Sequence, residues 1–143
     1  MRPVLVKDIM TKQVVTFFAE QTLPLAEDVM KIHKFRHLPV IDSDRRLVGL
    51  ITHRDVLRGQ ISVLTGLTEE ERRARQDEVR IDKLMTRDVW TVEPDTLAYN
   101  AGRTLLDHKF GCLPVVDRDH VLVGIVTERD FLRFALDTLE RSL

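Results

Sequence analysis

Residues 33–58 read HKFRHLPVIDSDRRLVGLITHRDVLR, and residues 108–133 read HKFGCLPVVDRDHVLVGIVTERDFLR. The second stretch repeats the first after 75 residues, and the same shift aligns residues 6–58 with 81–133 without a gap. Of these 53 aligned pairs, 21 are identical. Chance does not produce such agreement, so the chain is a duplicated unit with a linker between its copies.

The spacing of apolar residues predicts the same order of elements in both repeats: strand, helix, strand, strand, helix. In the first repeat the predicted elements are residues 14–17, 23–34, 38–41, 47–51 and a helix from about residue 53. In the second repeat they are residues 89–92, 97–109, 113–116, 122–126 and a helix from about residue 128. Asp-x-Asp segments at 42–44 and 117–119 predict the turns of two hairpins.

Some local details follow from residue type. Pro24 fits the first turn of the helix in the first repeat, and Thr96 is the expected N-cap of its counterpart. The closing helices should turn four residues inward: Val56, Leu57, Phe131 and Leu132.

The predicted fold class is α/β (α+β). One repeat alone would leave a sheet face uncovered and would be marginally stable. We therefore expect the two repeats to pack sheet to sheet about a pseudo-twofold axis. The expected organisation is a first repeat over 1–64, a charged helical linker over 65–80 and a second repeat over 81–143.

Thr68 with Glu71 three residues later is a capping-box pattern, so the linker should contain a helix over 69–79. Its mixed charges fit a solvated connector helix, and a helix that docks a partner is the alternative.

Composition excludes several classes of protein. The net charge is -1, which gives no reason to expect a nucleic-acid partner. No apolar run approaches the roughly 20 residues that cross a bilayer, and residues 1–10 do not resemble a signal peptide. Cys112 is the single cysteine, so neither an intrachain disulfide nor a multi-cysteine zinc site can form. These features predict a cytoplasmic protein.

Several duplicated motifs resemble the CBS (cystathionine-beta-synthase) domain. They are Asp8-Ile9-Met10-Thr11 and Lys83-Leu84-Met85-Thr86, then Arg36-His37-Leu38-Pro39-Val40-Ile41-Asp42, then Val48-Gly49-Leu50-Ile51-Thr52-His53-Arg54-Asp55, with their second copies. A tandem pair of this kind is called a Bateman module. The resemblance implies two clefts between the halves, adenosine-containing ligands (AMP, ADP, ATP or S-adenosylmethionine), a homodimer and a regulated effector protein.

The resemblance also implies a nucleotide-binding role for particular residues. Asp55 and Asp130 match the family's acidic residue, which can accept from both ribose hydroxyls, with Thr52 and Thr127 beside them. The alternative is that these four residues only cap the closing helices. Because the aspartates should lie at the surface of a cleft, replacing them should leave the fold intact.

The remaining implied contacts surround these aspartates. Arg54 and Arg129 match a phosphate contact, the alternative being an exposed or ion-paired arginine. Further matches are Arg36-His37 and Gly111-Cys112 near the base and phosphates, and Thr16-Phe17 and Thr91-Val92 as pocket walls, with Phe17 and Val92 as simple core residues in the alternative. Since Arg36-His37 and Gly111-Cys112 differ, the two sites should be unequal. His33 and His108 should pack at helix ends or cap them, and Cys112 should be a small buried residue.

Three functions are compatible with these observations: a ligand-sensing regulatory module, a structural dimerisation module, and an enzyme. The chain has no phosphate-loop motif, no His-Glu-x-x-His zinc motif and no Ser or Cys triad. Its polar residues repeat symmetrically, whereas catalysis needs unlike roles. The retention of both aspartates favours sensing.

Overall fold

Each of the two units of this structure combines residues from both repeats. The computed structural model describes residues 2–62 and 67–143. Unit 1 comprises Met1–Val14 and Trp90–Leu143, and unit 2 comprises Val15–Val89. Each unit therefore holds the main part of one repeat together with the leading residues of the other.

Unit 2 has a three-stranded sheet with helices around it. Its strands are β1 (Phe17–Phe18), β2 (His37–Ile41) and β3 (Leu47–Thr52), and its helices are α2 (Leu23–His33), α3 (His53–Ser62), α4 (Glu69–Gln76) and α5 (Ile81–Leu84). Strand β2 lies in the middle, parallel to β1 and antiparallel to β3. The core contains Phe17, Leu23, Ala26, Met30, Leu38, Val40, Ile51, Val56, Ile81 and Met85.

Unit 1 repeats this plan with a two-stranded sheet. Its strands are β4 (Cys112–Val116) and β5 (Leu122–Thr127), and its helices are α1 (Val6–Ile9), α6 (Ala98–His108) and α7 (Glu128–Arg141). The strands pair antiparallel, with Cys112 opposite Thr127. The core contains Val6, Ala101, Leu105, Leu113, Val115 and Val126.

The predicted hairpins are confirmed. Asp42 Oδ1 accepts from the backbone N–H groups of Asp44 and Arg46, both at 2.9 Å. Asp117 Oδ1 accepts in the same way from Asp119 and Val121. A short polar side chain at the start of each turn thus satisfies two backbone donors.

The repeated glycines are explained by the Met-Thr segments, Met10-Thr11 and Met85-Thr86. Thr11 exchanges two backbone hydrogen bonds with Ile125, at 2.8 and 2.9 Å, and Thr86 does so with Leu50, both at 2.9 Å. A Cβ atom on Gly124 would lie 2.7 Å from Met10 Sδ and 3.0 Å from the Thr11 carbonyl oxygen. The Met10 side chain therefore lies against the backbone of Gly124, where only a glycine leaves room for it.

The first predicted strand of each repeat is too long. Of the predicted residues 14–17 only Phe17 pairs, as part of the two-residue strand Phe17–Phe18, and of residues 89–92 only Val92 forms a bridge, to Val115. Val92 bonds to the carbonyl of Pro114 and to the N–H of Val116, so the side of Pro114 that lacks an N–H faces this segment. Pairing cannot extend further toward Trp90.

Two further local predictions are wrong. Leu97 is the N-cap of α6, while Thr96 accepts from the Glu93 N–H at 3.2 Å and so closes the preceding turn. Leu57 and Leu132 do not point inward, since they are 43% and 60% exposed. One residue along a helix rotates a side chain by about 100°, so Val56 can be buried while its neighbour is not. Pro24 in the first turn of α2 is confirmed.

The linker helix α4 packs against α2 and is not solvated on every face. Thr68 caps it as predicted, accepting from the Glu71 N–H at 3.1 Å, but the helix ends at Gln76. Arg73 pairs with Asp28 at 3.3 Å, and Gln76 is 1% exposed. Within the described ranges no helix is both long enough and apolar enough to span a membrane.

Candidate functional site

The fourteen candidate residues fall into two matching sets, one in each unit. Unit 2 contains Thr16, Phe17, Arg36, His37, Thr52, Arg54 and Asp55, and unit 1 contains Thr91, Val92, Gly111, Cys112, Thr127, Arg129 and Asp130. In each set, the residue that begins β2 or β4 lies opposite the threonine that ends β3 or β5.

In unit 2 the site is built where β3 passes into α3. Asp55 Oδ2 accepts from both the backbone N–H and the hydroxyl of Thr52, each at 2.9 Å. The Asp55 N–H donates back to Thr52 Oγ1 at 3.2 Å. Arg58, one turn further along α3, donates to Asp55 Oδ1. The carboxylate thus caps the helix and pairs with a guanidinium.

In unit 1 the same arrangement begins α7, with a different donor for the second oxygen. Asp130 Oδ2 accepts from the backbone N–H of Thr127 at 2.8 Å and from its hydroxyl at 3.2 Å. Asp130 Oδ1 accepts from the hydroxyl of Thr11 at 2.9 Å. Arg133 is further away, at 3.8 Å.

The expectation that both aspartates lie at a cleft surface is wrong. Asp55 is 3% exposed and Asp130 is 4% exposed. Each carboxylate accepts several hydrogen bonds that hold the first turn of a helix to the preceding strand. Buried carboxylates remain in proteins because such donors compensate their lost hydration. Both aspartates therefore cap their helices, as the alternative interpretation states, whether or not they also bind a ligand.

The flanking candidates differ in exposure. Arg54 and Arg129 are exposed at the start of their helices, where a guanidinium can reach an anion. The Arg36 carbonyl accepts from the His53 N–H at 2.9 Å, which ties the Arg36-His37 segment to the same turn. In unit 1 the equivalent pair offers only the half-buried Gly111 and the buried Cys112. The two sets therefore differ in charge at this position.

The candidate wall residues are partly core residues. Phe17 is 2% exposed and belongs to the core of unit 2, as its alternative interpretation states. Val92 is half-buried and packs on the core of unit 1. Thr16 and Thr91, one position before them, are also half-buried.

Sequence reasoning missed Thr11 and Arg58 as neighbours of the two carboxylates. Both carried a signal, because Thr11 repeats as Thr86 and Arg58 repeats as Arg133. The signal could not say that Thr11, from the first repeat, contacts an aspartate of the second.

The other singled-out residues have structural roles. His33 stacks on Phe35, and His108 stacks on Phe110, with ring centroids 5.5 and 5.2 Å apart, so packing at helix ends is confirmed. Cys112 is 5% exposed, as expected of a small buried residue. Burial raises the pKa of its thiol from 9.0 to about 12, which keeps it neutral and unreactive at neutral pH.

The family model of the CBS domain matches this chain twice, over residues 6–62 and 80–137. A CBS domain-containing protein of Dictyostelium discoideum is 30% identical over 137 residues, which are 96% of this chain and 94% of that protein. Several further relatives are enzymes, of which this chain spans 20% to 23% of the length.

Two solved structures of similar chains contain adenosine compounds. CBSX2 of Arabidopsis thaliana, solved in complex with AMP, has a TM-score of 0.80 and 29% identity, covering 94% of this chain and 97% of that chain. The CBS domain pair of protein MJ0100, solved with 5'-methylthioadenosine and S-adenosyl-L-methionine, has a TM-score of 0.76 and 28% identity, covering 96% and 99%.

Proposed function

The chain belongs to the CBS domain family, and on this premise we propose that it is a regulatory module that binds an adenine nucleotide and signals to an effector protein. The observation that carries the proposal is the duplicated carboxylate–hydroxyl pair, Thr52 with Asp55 and Thr127 with Asp130. Ligands of the AMP, ADP and ATP class fit best, with S-adenosylmethionine as a further candidate, since similar chains hold AMP and S-adenosylmethionine.

The chemistry of the two aspartates suits a ribose. In both, Oδ2 is held by a threonine, while among the described residues Oδ1 accepts one hydrogen bond, from Arg58 or from Thr11, with Arg133 at 3.8 Å from Asp130 Oδ1. A ribose hydroxyl would take over the contact at Oδ1. In unit 1 this exchanges one hydroxyl donor for another, whereas in unit 2 it replaces a guanidinium by a neutral hydroxyl and so breaks the ion pair between Arg58 and the buried Asp55 carboxylate.

We therefore expect unequal affinities, with the Asp130 site the stronger. Titration calorimetry with AMP should show two classes of site. A single class with equal affinities would contradict this reasoning while leaving nucleotide binding itself intact.

Variants of the exposed arginines test the site without disturbing the buried caps. Arg129→Ala should weaken AMP binding at least tenfold and leave adenosine binding unchanged, because a bidentate phosphate contact is lost. Arg118→Ala, another exposed arginine of unit 1, is the matched control. The assignment fails if Arg129→Ala and Arg118→Ala bind AMP equally well.

Thermal unfolding with AMP, ADP, ATP and S-adenosylmethionine tests the function itself. A ligand that binds only the folded state, at 100 times its Kd, adds about 2.7 kcal/mol of stability. GMP is the control for the base. If all four compounds leave the melting temperature unchanged at millimolar concentration, a structural dimerisation module becomes the better proposal.

We also propose that the protein forms a homodimer. Helix α7 exposes Leu132, Leu136 and Leu139, which are 57% to 61% exposed and lie on one face at a spacing of four and three residues. Such a row on a helix typically packs against another helix. Light scattering should give twice the 16.6 kDa chain mass, and Leu136→Lys should give the monomer.

A further inference from the structure

The two equivalent carboxylates, Asp55 and Asp130, share one pattern of contacts at Oδ2 and differ at Oδ1. Asp55 Oδ1 accepts a hydrogen bond from Arg58 of the same helix. Asp130 Oδ1 accepts from the hydroxyl of Thr11 at 2.9 Å, and the arginine equivalent to Arg58, Arg133, stays 3.8 Å away. A cation therefore covers one carboxylate oxygen, and a neutral hydroxyl covers the other.

The sequence of the repeats does not explain this difference, because each repeat contains both kinds of donor. Thr86 is the counterpart of Thr11, and its backbone pairs with Leu50 as that of Thr11 pairs with Ile125. In the described part of the chain, however, Thr86 makes no hydrogen bond to Asp55. The folded chain thus uses the arginine in unit 2 and the threonine in unit 1.

The hydrogen-bonding capacity of Asp55 is almost used up. An ionised carboxylate has about four acceptor positions, two on each oxygen. The backbone N–H and the hydroxyl of Thr52 take both positions of Oδ2, each at 2.9 Å, and Arg58 takes one position of Oδ1. One position is left for a ligand. A ribose presents two neighbouring hydroxyls, so the second one has an acceptor at Asp55 only if it displaces Arg58.

Arginine and threonine respond differently to an arriving ribose hydroxyl. A guanidinium has donors and no acceptor, so Arg58 and the ribose compete for the same oxygen. A threonine hydroxyl both donates and accepts. Thr11 can therefore keep its hydrogen bond to Asp130 and accept one from the ligand at the same time. Of the two donors, only Arg58 is a competitor of the ligand.

The burial of Asp55 makes this competition costly for the ligand. The Asp55 side chain is 4% exposed, and a buried carboxylate that loses its counter-charge is strongly destabilised. The Arg58 side chain is 65% exposed, so water can hydrate its guanidinium once it has been displaced. The cost of displacement therefore lies at the carboxylate, where a neutral hydroxyl replaces a charged donor.

We propose that Arg58 sets the affinity of unit 2 for ribose-containing ligands, because it occupies the acceptor that the ribose needs. This inference rests on the proposed nucleotide-binding role of Asp55. A ligand must offset the displacement of Arg58 with its other contacts. The exposed Arg54 offers such a contact to a phosphate, so unit 2 should select phosphorylated nucleotides over free adenosine.

The test is a titration of ¹⁵N-labelled protein with AMP and with 2',3'-dideoxy-AMP, which keeps the base and the phosphate but lacks both hydroxyls. The amide signals of Thr52 and Arg54 report unit 2, and those of Thr127 and Arg129 report unit 1. Arg58→Met keeps most of the length of the side chain without its donors. It should raise the affinity of unit 2 for AMP at least tenfold and leave its affinity for the dideoxy compound unchanged.

Two further variants serve as controls. Arg133→Met removes the equivalent arginine of unit 1, where Thr11 makes the hydrogen bond, so unit 1 should keep its affinity for AMP. Arg58→Gln has a neutral donor and should give an affinity between those of the parent and Arg58→Met. It also replaces Arg58→Met as the test variant if that protein does not fold. Without ligand, both Arg58 variants should melt at a lower temperature than Arg133→Met, because they leave a buried carboxylate without its cation.

Three results would overturn the proposal. One is an AMP affinity of unit 2 that stays the same in both Arg58 variants. Another is an equal gain for dideoxy-AMP, which would mean that Arg58 hinders entry of the whole ligand. The third is an equal gain in Arg133→Met, which would indicate a general effect of charge. Signals of unit 1 that still respond to AMP would leave the nucleotide-binding function standing in all three cases, whereas the absence of any response in either unit would contradict both.

Discussion

The hydroxyl of Thr11 donates a 2.9 Å hydrogen bond to Asp130 Oδ1, across 119 residues of sequence. Thr11 belongs to the first repeat and Asp130 to the second. The bond ties the Met10-Thr11 segment to the first turn of α7. Its counterpart at Asp55 comes from Arg58 of the same helix, so the two repeats hold equivalent carboxylates in different ways.

Asp130→Ala should destabilise unit 1 by about 1–3 kcal/mol, because a buried helix cap and its donors are lost together. Thermal unfolding followed by circular dichroism measures the change, with the exposed Asp137→Ala of the same helix as control. Thr11→Val should cost about 1 kcal/mol in the parent and much less in Asp130→Ala. Additive losses in this cycle would show that the two side chains are not coupled.

Gly124→Ala should destabilise the protein by about 1–3 kcal/mol, because the new methyl group meets Met10 Sδ and the Thr11 carbonyl oxygen. Urea unfolding gives the free energy. Adding Met10→Ala should recover only part of the loss, since the backbone oxygen of Thr11 remains at 3.0 Å. Full recovery would mean that the methionine alone sets the requirement for glycine.

Gln76→Met should raise the free energy of unfolding. Gln76 is 1% exposed, and its Nε2 has no hydrogen-bond partner among the described residues. Leaving a buried donor unsatisfied costs about 1–3 kcal/mol, and methionine has a similar shape without the donor. A lower stability than the parent in urea unfolding would indicate that this amide is satisfied in solution.

Cys112 should make stability fall at alkaline pH. Its pKa is raised from 9.0 to about 12 by burial, so the folded state holds the thiol proton more tightly than the unfolded state. The resulting stability is complete below about pH 9 and is lost as the pH rises toward about 12. Between these values the parent should lose more stability than Cys112→Ala. Equal losses would show that the thiol is not buried in solution.

The repeat itself made most of the architecture predictable. A hairpin of Leu38–Ile41 and Leu47–Ile51 is predictable because the apolar runs and the Asp turn recur together in both copies. Local sequence signals are weaker where backbone hydrogen bonds set the ends of a strand or helix. The missing N–H of Pro114 shortens a strand, and Thr96 closes a turn one residue before the helix cap.

The sequence indicates which residues are candidates for the site, but not how deeply each one is buried. The resemblance to the CBS domain singles out Asp55 and Asp130, but a sequence does not give the depth of a carboxylate below the surface. Thr52 and Thr127 fold back onto the two carboxylates, and Asp130 is contacted in addition by Thr11 from the other repeat. Contacts between distant segments of the chain carry no local pattern.

The division of the chain between its units sets an order of assembly. Unit 2 is continuous, from Val15 to Val89, and can close through contacts within that stretch. Unit 1 consists of the residues before and after unit 2 in the sequence. Its first fourteen residues therefore cannot make their contacts with the rest of unit 1 until the residues from Trp90 onward have been synthesised. Loop closure over that distance is entropically costly and slow. During translation residues 90–143 thus complete a structure that residues 1–14 began.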